Sequence, residues 1–205
     1  MSQEEIRSSV KEYVAAIFQE EPTGHDYEHM KRVANMAAYI AEHEGADPFI
    51  CEMAGWLHDV TDGKLTDDEN QAKENLHTFL YKLPLDTHAK NAILAAMKDV
   101  SFKGKHIIPY TIEGKVVQDA DRLDAIGAIG IARTFAFGGN KEQLLHTEVE
   151  QNGSEPGTSI QHFYDKLLHL KGYMNTPTAI SLAEERHAIL EKFLQDFHTE
   201  WNSFS

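Results

Sequence analysis

Residues 27–60 read YEHMKRVANMAAYIAEHEGADPFICEMAGWLHDV. In the first half, Met30, Val33, Ala34, Ala37 and Ile40 recur at intervals of three and four, which draws one apolar stripe along a helix from about Tyr27 to Glu44. Gly45 stops it. Asp47-Pro48 then supplies an N-cap followed by proline at the first helical position. The apolar run from Phe49 to Leu57 carries the second helix to His58 and Asp59, and Asp62-Gly63 marks the turn beyond. Two helices joined by a short connection, with no alternation of period two, predict helix-on-helix packing.

The same period extends outward. Ile6, Val10, Tyr13, Val14 and Ile17 form an N-terminal stripe, broken by Glu21-Pro22-Thr23-Gly24. Residues 67–83 and 86–100 read as two further helices separated by Pro84. Residues 102–110 read as a loop, and residues 113–135 are apolar and rich in small residues. Gly127 and Gly130 in that stretch suit close helix packing better than a phosphate-binding loop. Residues 138–158 are polar and glycine-rich, the longest expected loop and the expected flexible lid. Residues 159–172 form a short helix, and Thr176-Pro177 caps a last one carrying Leu190, Phe193, Leu194, Phe197 and Trp201. No 20–50-residue repeat is evident. The expectation is an all-α, single-domain helical bundle over residues 1–205, with a core at about 24–135 and a C-terminal helical extension at about 158–201.

Composition narrows the function. Nineteen basic against thirty-three acidic residues give a formal charge of −14 over 205 residues. No basic patch of any length offsets it, which argues against a nucleic-acid polymer and against an anionic membrane surface. An anionic small substrate remains compatible if local cations, a metal among them, reverse the sign inside a cleft. The single cysteine, Cys51, excludes an intrachain disulfide and points to the cytoplasm; its apolar surroundings make it a small buried hydrophobe. The polar, acidic start is unlike a signal peptide, and no apolar run is long enough for a membrane span.

The chain has no GxxxxGK[ST], HExxH, GxSxG or CxxC motif. What it has is an aspartate, Asp59, at the end of a strongly apolar helix, where an unpaired carboxylate is costly. An arginine, a helix cap or a metal ion would neutralise it. His29 lies on the amphipathic second helix, and Asp119, Asp121 and Asp124 cluster among Val116, Val117, Leu123 and Ile126. Val117, Asp121 and Asp124 share one helix face by spacing.

Taken together, "HMKRV", "WLHDV" and "DADRLDAIGAIGIAR" resemble the H…HD…D signature of the HD-domain metal-dependent phosphohydrolases. The likeness covers the whole chain: "GHDYEHMKRV" near the start and "HFYDKLLHLKGYMNTPTAISLAEERH" near the end resemble a compact bacterial subfamily. The resemblance implies an HD-type bundle with His29, His58, Asp59 and Asp121 as metal ligands, Asp119 and Asp124 being rivals for the last place. Two imidazoles and two carboxylates suit one divalent ion, Mn²⁺ best, with Mg²⁺, Fe²⁺, Co²⁺, Ni²⁺ and Zn²⁺ as alternatives.

The same likeness makes Asp62 a general acid/base, against a plain turn-forming role beside Gly63. It makes Lys64, and Lys166 one helical turn after His162 in "HFYDK", substrate contacts, against solvated surface lysines. By spacing from His29, Arg32 is a candidate to bind phosphate or orient the cluster, against an ion pair with Asp59 or Asp121, and His25 a candidate to touch substrate or a second metal, against a loop histidine after Gly24. His77, His88 and His106 do not match the pattern of a second metal site. The implied activity is hydrolysis of a nucleotide by a (deoxy)nucleoside triphosphate pyrophosphohydrolase, giving monophosphate and pyrophosphate. A 5′-nucleotidase or other phosphomonoesterase is the nearest alternative, and a non-hydrolytic nucleotide-binding regulatory domain is the alternative of another class. A homodimer is compatible with the helical surfaces.

Overall fold

A computed structural model of the chain describes residues 2–18, 26–62, 68–100, 107–147 and 157–203. Every regular element among the described residues is a helix, with no strand. The chain divides into two compact units, Met1–Asp121 and Arg122–Ser205.

The first unit holds α1 (Gln3–Phe18), α2 (Tyr27–Glu44), α3 (Pro48–Leu57), α4 (Glu69–Lys82), α5 (Thr87–Met97) and most of α6 (Ile112–Asp124). Local chemistry places the boundaries. The Asp26 carboxylate caps α2 and Gly45 ends it in the left-handed conformation, φ 70°. Asp47 Oδ1 accepts from the backbone N–H groups of Phe49 and Ile50 at 2.9 and 3.1 Å, and Pro48 occupies the first turn of α3. Asp68 and Asp86 cap α4 and α5 in the same way.

Apart from Pro48 and Glu52, every residue of α3 is buried. A helix apolar all round belongs inside a bundle, and α1, α2 and α5 pack on it. Glu52, polar in that helix, takes the Arg7 guanidinium of α1 at 2.7 Å. The N-terminal stripe is shifted by one residue at its end: Ile6, Val10, Val14 and Phe18 are buried, whereas Ile17 is 43% exposed. Strict i, i+4 spacing through Val14 reaches Phe18, the larger apolar group, and turns Ile17 about 100° away. Tyr13 stacks on Phe79 of α4 with ring centroids 4.0 Å apart.

The second unit holds α7 (Gly127–Asn140), α8 (Ser159–Asp165), a 3-10 helix (Leu167–Tyr173) and α9 (Pro177–Trp201). Residues 113–135 are thus split between α6 and α7. Gly127, at φ 74°, makes the turn, and a methyl group at Gly130 would lie 2.2 Å from the Ala125 carbonyl oxygen. Arg186 and Arg133 donate to the Leu123 and Asp124 carbonyls, satisfying the last oxygens of α6. Residues 159–172 break at Lys166 into α8 and the 3-10 helix.

The expected loop at 138–158 begins later than its glycines suggest, because α7 continues through Gly138 and Gly139 to Asn140. Residues 148–156, the middle of the expected lid, lie outside the described residues. Thr176 and Pro177 start α9 as expected. Among the described residues no helix is long and apolar enough to cross a membrane.

Candidate metal centre

Three elements of the first unit bring the chemistry together. His29 sits in the first turn of α2, where its backbone N–H donates to Asp26 Oδ1 at 2.8 Å. The cap that starts the helix therefore also fixes the residue that carries the imidazole. His58 and Asp59 follow α3 directly, in a tight turn where the Val60 and Asp62 N–H groups bond the Leu57 and Asp59 carbonyls. Asp121 projects from α6, whose Val116, Val117 and Ala120 are fully buried and so set its rotation.

Among the described residues, His29, His58 and Asp121 place one ligand atom each within 4.8 Å of one another, and Asp59 stands beside both imidazoles. His29 Nε2 lies 3.7 Å from Asp59 Oδ2 and 3.5 Å from Asp121 Oδ1. His58 Nε2 lies 3.4 Å from Asp59 Oδ2 and 3.7 Å from Asp121 Oδ1. Both imidazoles are fully buried as side chains, while the Asp121 carboxylate is 23% exposed, which leaves the cluster one open side. Ligand atoms each about 2.1 Å from a common ion sit roughly 3.0–3.4 Å apart at octahedral to tetrahedral angles. The observed spacings, 3.4–3.7 Å, run from the top of that range to just above it.

The hydrogen bonding of His58 provides a test of fit. Its Nδ1 is 2.8 Å from the Gly55 carbonyl, which can only accept, so Nδ1 carries the proton. Nε2 is then the nitrogen turned toward the two carboxylates, 3.4 Å from Asp59 Oδ2 and 3.7 Å from Asp121 Oδ1. An imidazole oriented through one nitrogen, with the other facing carboxylates, is the arrangement of a metal ligand and its supporting partner. The donor set fits a divalent ion.

Electrostatics point the same way. Burial acts to lower the His58 pKa, but the charge of Asp59 and the nearby Asp121 carboxylate outweigh it and hold the imidazole well above its usual range. For Asp121, burial acts upward, and the hydrogen bond and charge of His58, with the charge of His29, bring the pKa below the usual carboxylate value. A raised histidine pKa stabilises the metal-free fold fully below the unfolded value and loses that contribution as pH rises through the folded value. The lowered Asp121 pKa contributes above its unfolded value and is lost as pH falls through the folded one. The expected result is that chelator-treated protein melts at a lower temperature as pH is raised above the ordinary histidine range, through the folded-state value. It is also expected that loading a divalent ion releases protons, measurable by calorimetry in buffers of different ionisation enthalpy.

The other predicted residues are placed as follows. Asp124 lies on the expected face of α6 but holds Arg133, Nη1 to Oδ2 at 2.7 Å. Asp119 is fully buried, two residues and about 200° around the helix from Asp121. Arg32 is half-buried, one turn beyond His29 on α2, and Asp62 is half-buried in the turn after Asp59. His162 is in α8; burial and then the charge of Lys166, one turn on, lower its pKa. His25 and Lys64 lie outside the described residues. Asp26 escaped the sequence reading, although an aspartate immediately before an apolar stripe is the usual sign of an N-cap.

The chain is similar to known proteins. The profile of the HD domain family matches residues 26–126, a span that includes His29, His58, Asp59 and Asp121. The chain is 39% identical to the Bacillus subtilis protein YpgQ over 194 residues, covering 93% of this chain and 91% of YpgQ. The crystal structure of Bacillus subtilis YpgQ in complex with ADP superposes with a TM-score of 0.80 at 36% identity, covering 97% of this chain and 99% of that one. An HD-superfamily hydrolase from Bacillus thuringiensis gives a TM-score of 0.80 at 39% identity, covering 98% and 99%.

Proposed function

The chain belongs to the HD domain family of metal-dependent phosphohydrolases, and from that premise we propose that His29, His58, Asp59 and Asp121 hold one divalent ion, Mn²⁺ by preference, in an enzyme that hydrolyses nucleoside or deoxynucleoside triphosphates to monophosphate and pyrophosphate. The observation that carries the reading is the convergence of two buried imidazoles and two carboxylates from three elements, at 3.4–3.7 Å. A nucleotide substrate is supported by the complex of the similar protein YpgQ with ADP.

A divalent ion held by His29, His58, Asp59 and Asp121 would supply Lewis acidity, which would activate water and neutralise phosphoryl charge. The chain's own residues do the rest. The Gly55 carbonyl holds the His58 ring in the tautomer whose Nε2 can coordinate. Asp62, one turn beyond His58-Asp59 and half-buried, is assigned the proton transfer as general acid/base. Arg32, His25, Lys64, His162 and Lys166 are assigned to the anionic phosphate chain, since a protein of formal charge −14 needs local cations to admit it. In-line attack then depends on positioning and charge neutralisation. The proposed location is the cytoplasm.

The test is a panel of ribo- and deoxyribonucleotides with Mn²⁺, following phosphate and pyrophosphate separately. Pyrophosphate from triphosphates is the expected product. Phosphate alone would make the enzyme a phosphomonoesterase, and no turnover of any nucleotide would leave a binding module. Asp62→Asn is expected to keep bound Mn²⁺ while lowering kcat by about 10²-fold or more; a fully active variant would remove Asp62 from the proton transfer.

A further inference from the structure

The helices that carry His29 and His58 meet at one residue without a side chain. A methyl group on Gly55 of α3 would lie 2.7 Å from Ala34 Cα, 3.1 Å from Ala34 N and 3.3 Å from the Val33 carbonyl carbon, all on α2. These are backbone atoms in the middle of a helix, so no rotamer change relieves the overlap. Only a separation of the two helices would. The crossing lies five residues from His29 and three from His58, and the two imidazole rings stand with their centroids 5.4 Å apart. The same residue supplies the carbonyl that accepts the His58 Nδ1 proton at 2.8 Å.

We propose that Gly55 is a positioning residue for the metal centre: its bare Cα sets the distance between the helices that hold His29 and His58, and its carbonyl selects the tautomer in which His58 offers Nε2. The proposal rests on the metal reading above. Both effects act on the ligands through the backbone of a residue that touches neither ion nor substrate. A small side chain here is therefore required by the centre as well as by the packing. Alanine, the most conservative replacement, keeps the carbonyl but forces the helices apart.

The experiment compares wild type, Gly55→Ala and Met53→Ala for Mn²⁺ affinity by calorimetry, alongside thermal unfolding of the metal-free proteins. Met53 is fully buried on the same helix and serves as the control for lost core packing. Displacing a ligand from its supporting geometry costs about 10–100-fold in metal affinity, the range seen when an orienting partner is disturbed. That loss is expected for Gly55→Ala, while Met53→Ala loses stability and keeps wild-type affinity. Gly55→Ala binding within about twofold of wild type overturns the proposal, as does an equal loss of affinity in Met53→Ala.

Should Gly55→Ala fail to fold, the wild type loaded with Zn²⁺ decides by ¹⁵N spectroscopy of the His58 ring. A proton on Nδ1 supports the proposal, and a proton on Nε2 overturns it. A wild type that takes up no Mn²⁺ removes the metal reading itself, an outcome distinct from a bound ion that is indifferent to residue 55.

Discussion

Asp121→Ala should eliminate stoichiometric Mn²⁺ and with it nucleotide hydrolysis. Asp121 Oδ1 is the atom that α6 brings to both imidazoles, at 3.5 and 3.7 Å. No other aspartate of the helix can substitute by a small adjustment. Asp124 is held by Arg133 at 2.7 Å, and Asp119 points about 200° away around the helix. Loss of a direct ligand should exceed the roughly 10–100-fold that loss of a supporting partner costs in affinity or activity. The measurement is metal content after dialysis against Mn²⁺, together with turnover. Retained metal and activity in Asp121→Ala, with loss in Asp119→Ala, would transfer the role to Asp119. Ligand binding stabilises a fold by mass action, so the wild type should also gain melting temperature on adding Mn²⁺ while Asp121→Ala should not.

The second large effect is on stability. Trp56→Ala should destabilise the protein by about 3–5 kcal/mol, the range for truncating a buried aromatic. Trp56 is 1% exposed and among the largest fully buried side chains. It packs against the Tyr27 ring at 5.2 Å, and the Lys11 ammonium stands 5.9 Å from its ring centroid. Alanine would leave a cavity between α1, the start of α2 and the end of α3, two residues before His58. For a chain of this size each kcal/mol moves the melting temperature by about 2–4 °C, so a fall of roughly 6–20 °C is expected. Thermal and urea unfolding check it. A change below about 1 kcal/mol would mean that the surrounding helices collapse into the space, contrary to a closely packed core.

These two substitutions separate what the residues do. Trp56 holds the ends of the helices in place, and Asp121 completes the cluster those ends present. Coupling between them is geometric: a shift in the Tyr27–Trp56 contact displaces the first turn of α2, where His29 is tied to Asp26. Trp56→Ala that remains folded at low temperature should therefore still bind Mn²⁺, with lower affinity.

Much of the architecture was legible in the order of the residues because its causes are local. Asp47-Pro48, Gly45 and Thr176-Pro177 mark helix ends through hydrogen bonds and backbone preferences that span three or four positions, and the ends fall where those signals stand. The buried Met30, Val33, Ala34, Ala37 and Ile40 follow from a helical period readable along one segment. The likeness to HD-domain proteins was equally visible in the short motifs around His29, His58-Asp59 and Asp121. Other features turn on small local differences that composition alone does not resolve. Ile17 yields its inward place to Phe18, and the glycines at 138–139 stay helical because their composition does not oblige a loop.

By itself, the sequence determined an all-helical chain and the types of group available to a metal, since helical period, caps and residue chemistry are properties of neighbours along the chain. Only the tertiary structure decided which carboxylate of the Asp119, Asp121 and Asp124 trio faces the imidazoles, that His58 turns its Nε2 rather than its Nδ1 toward them, and that Gly55 lies where two helices touch. Those outcomes depend on helix rotation and crossing distance, which are fixed by packing between segments far apart in the sequence.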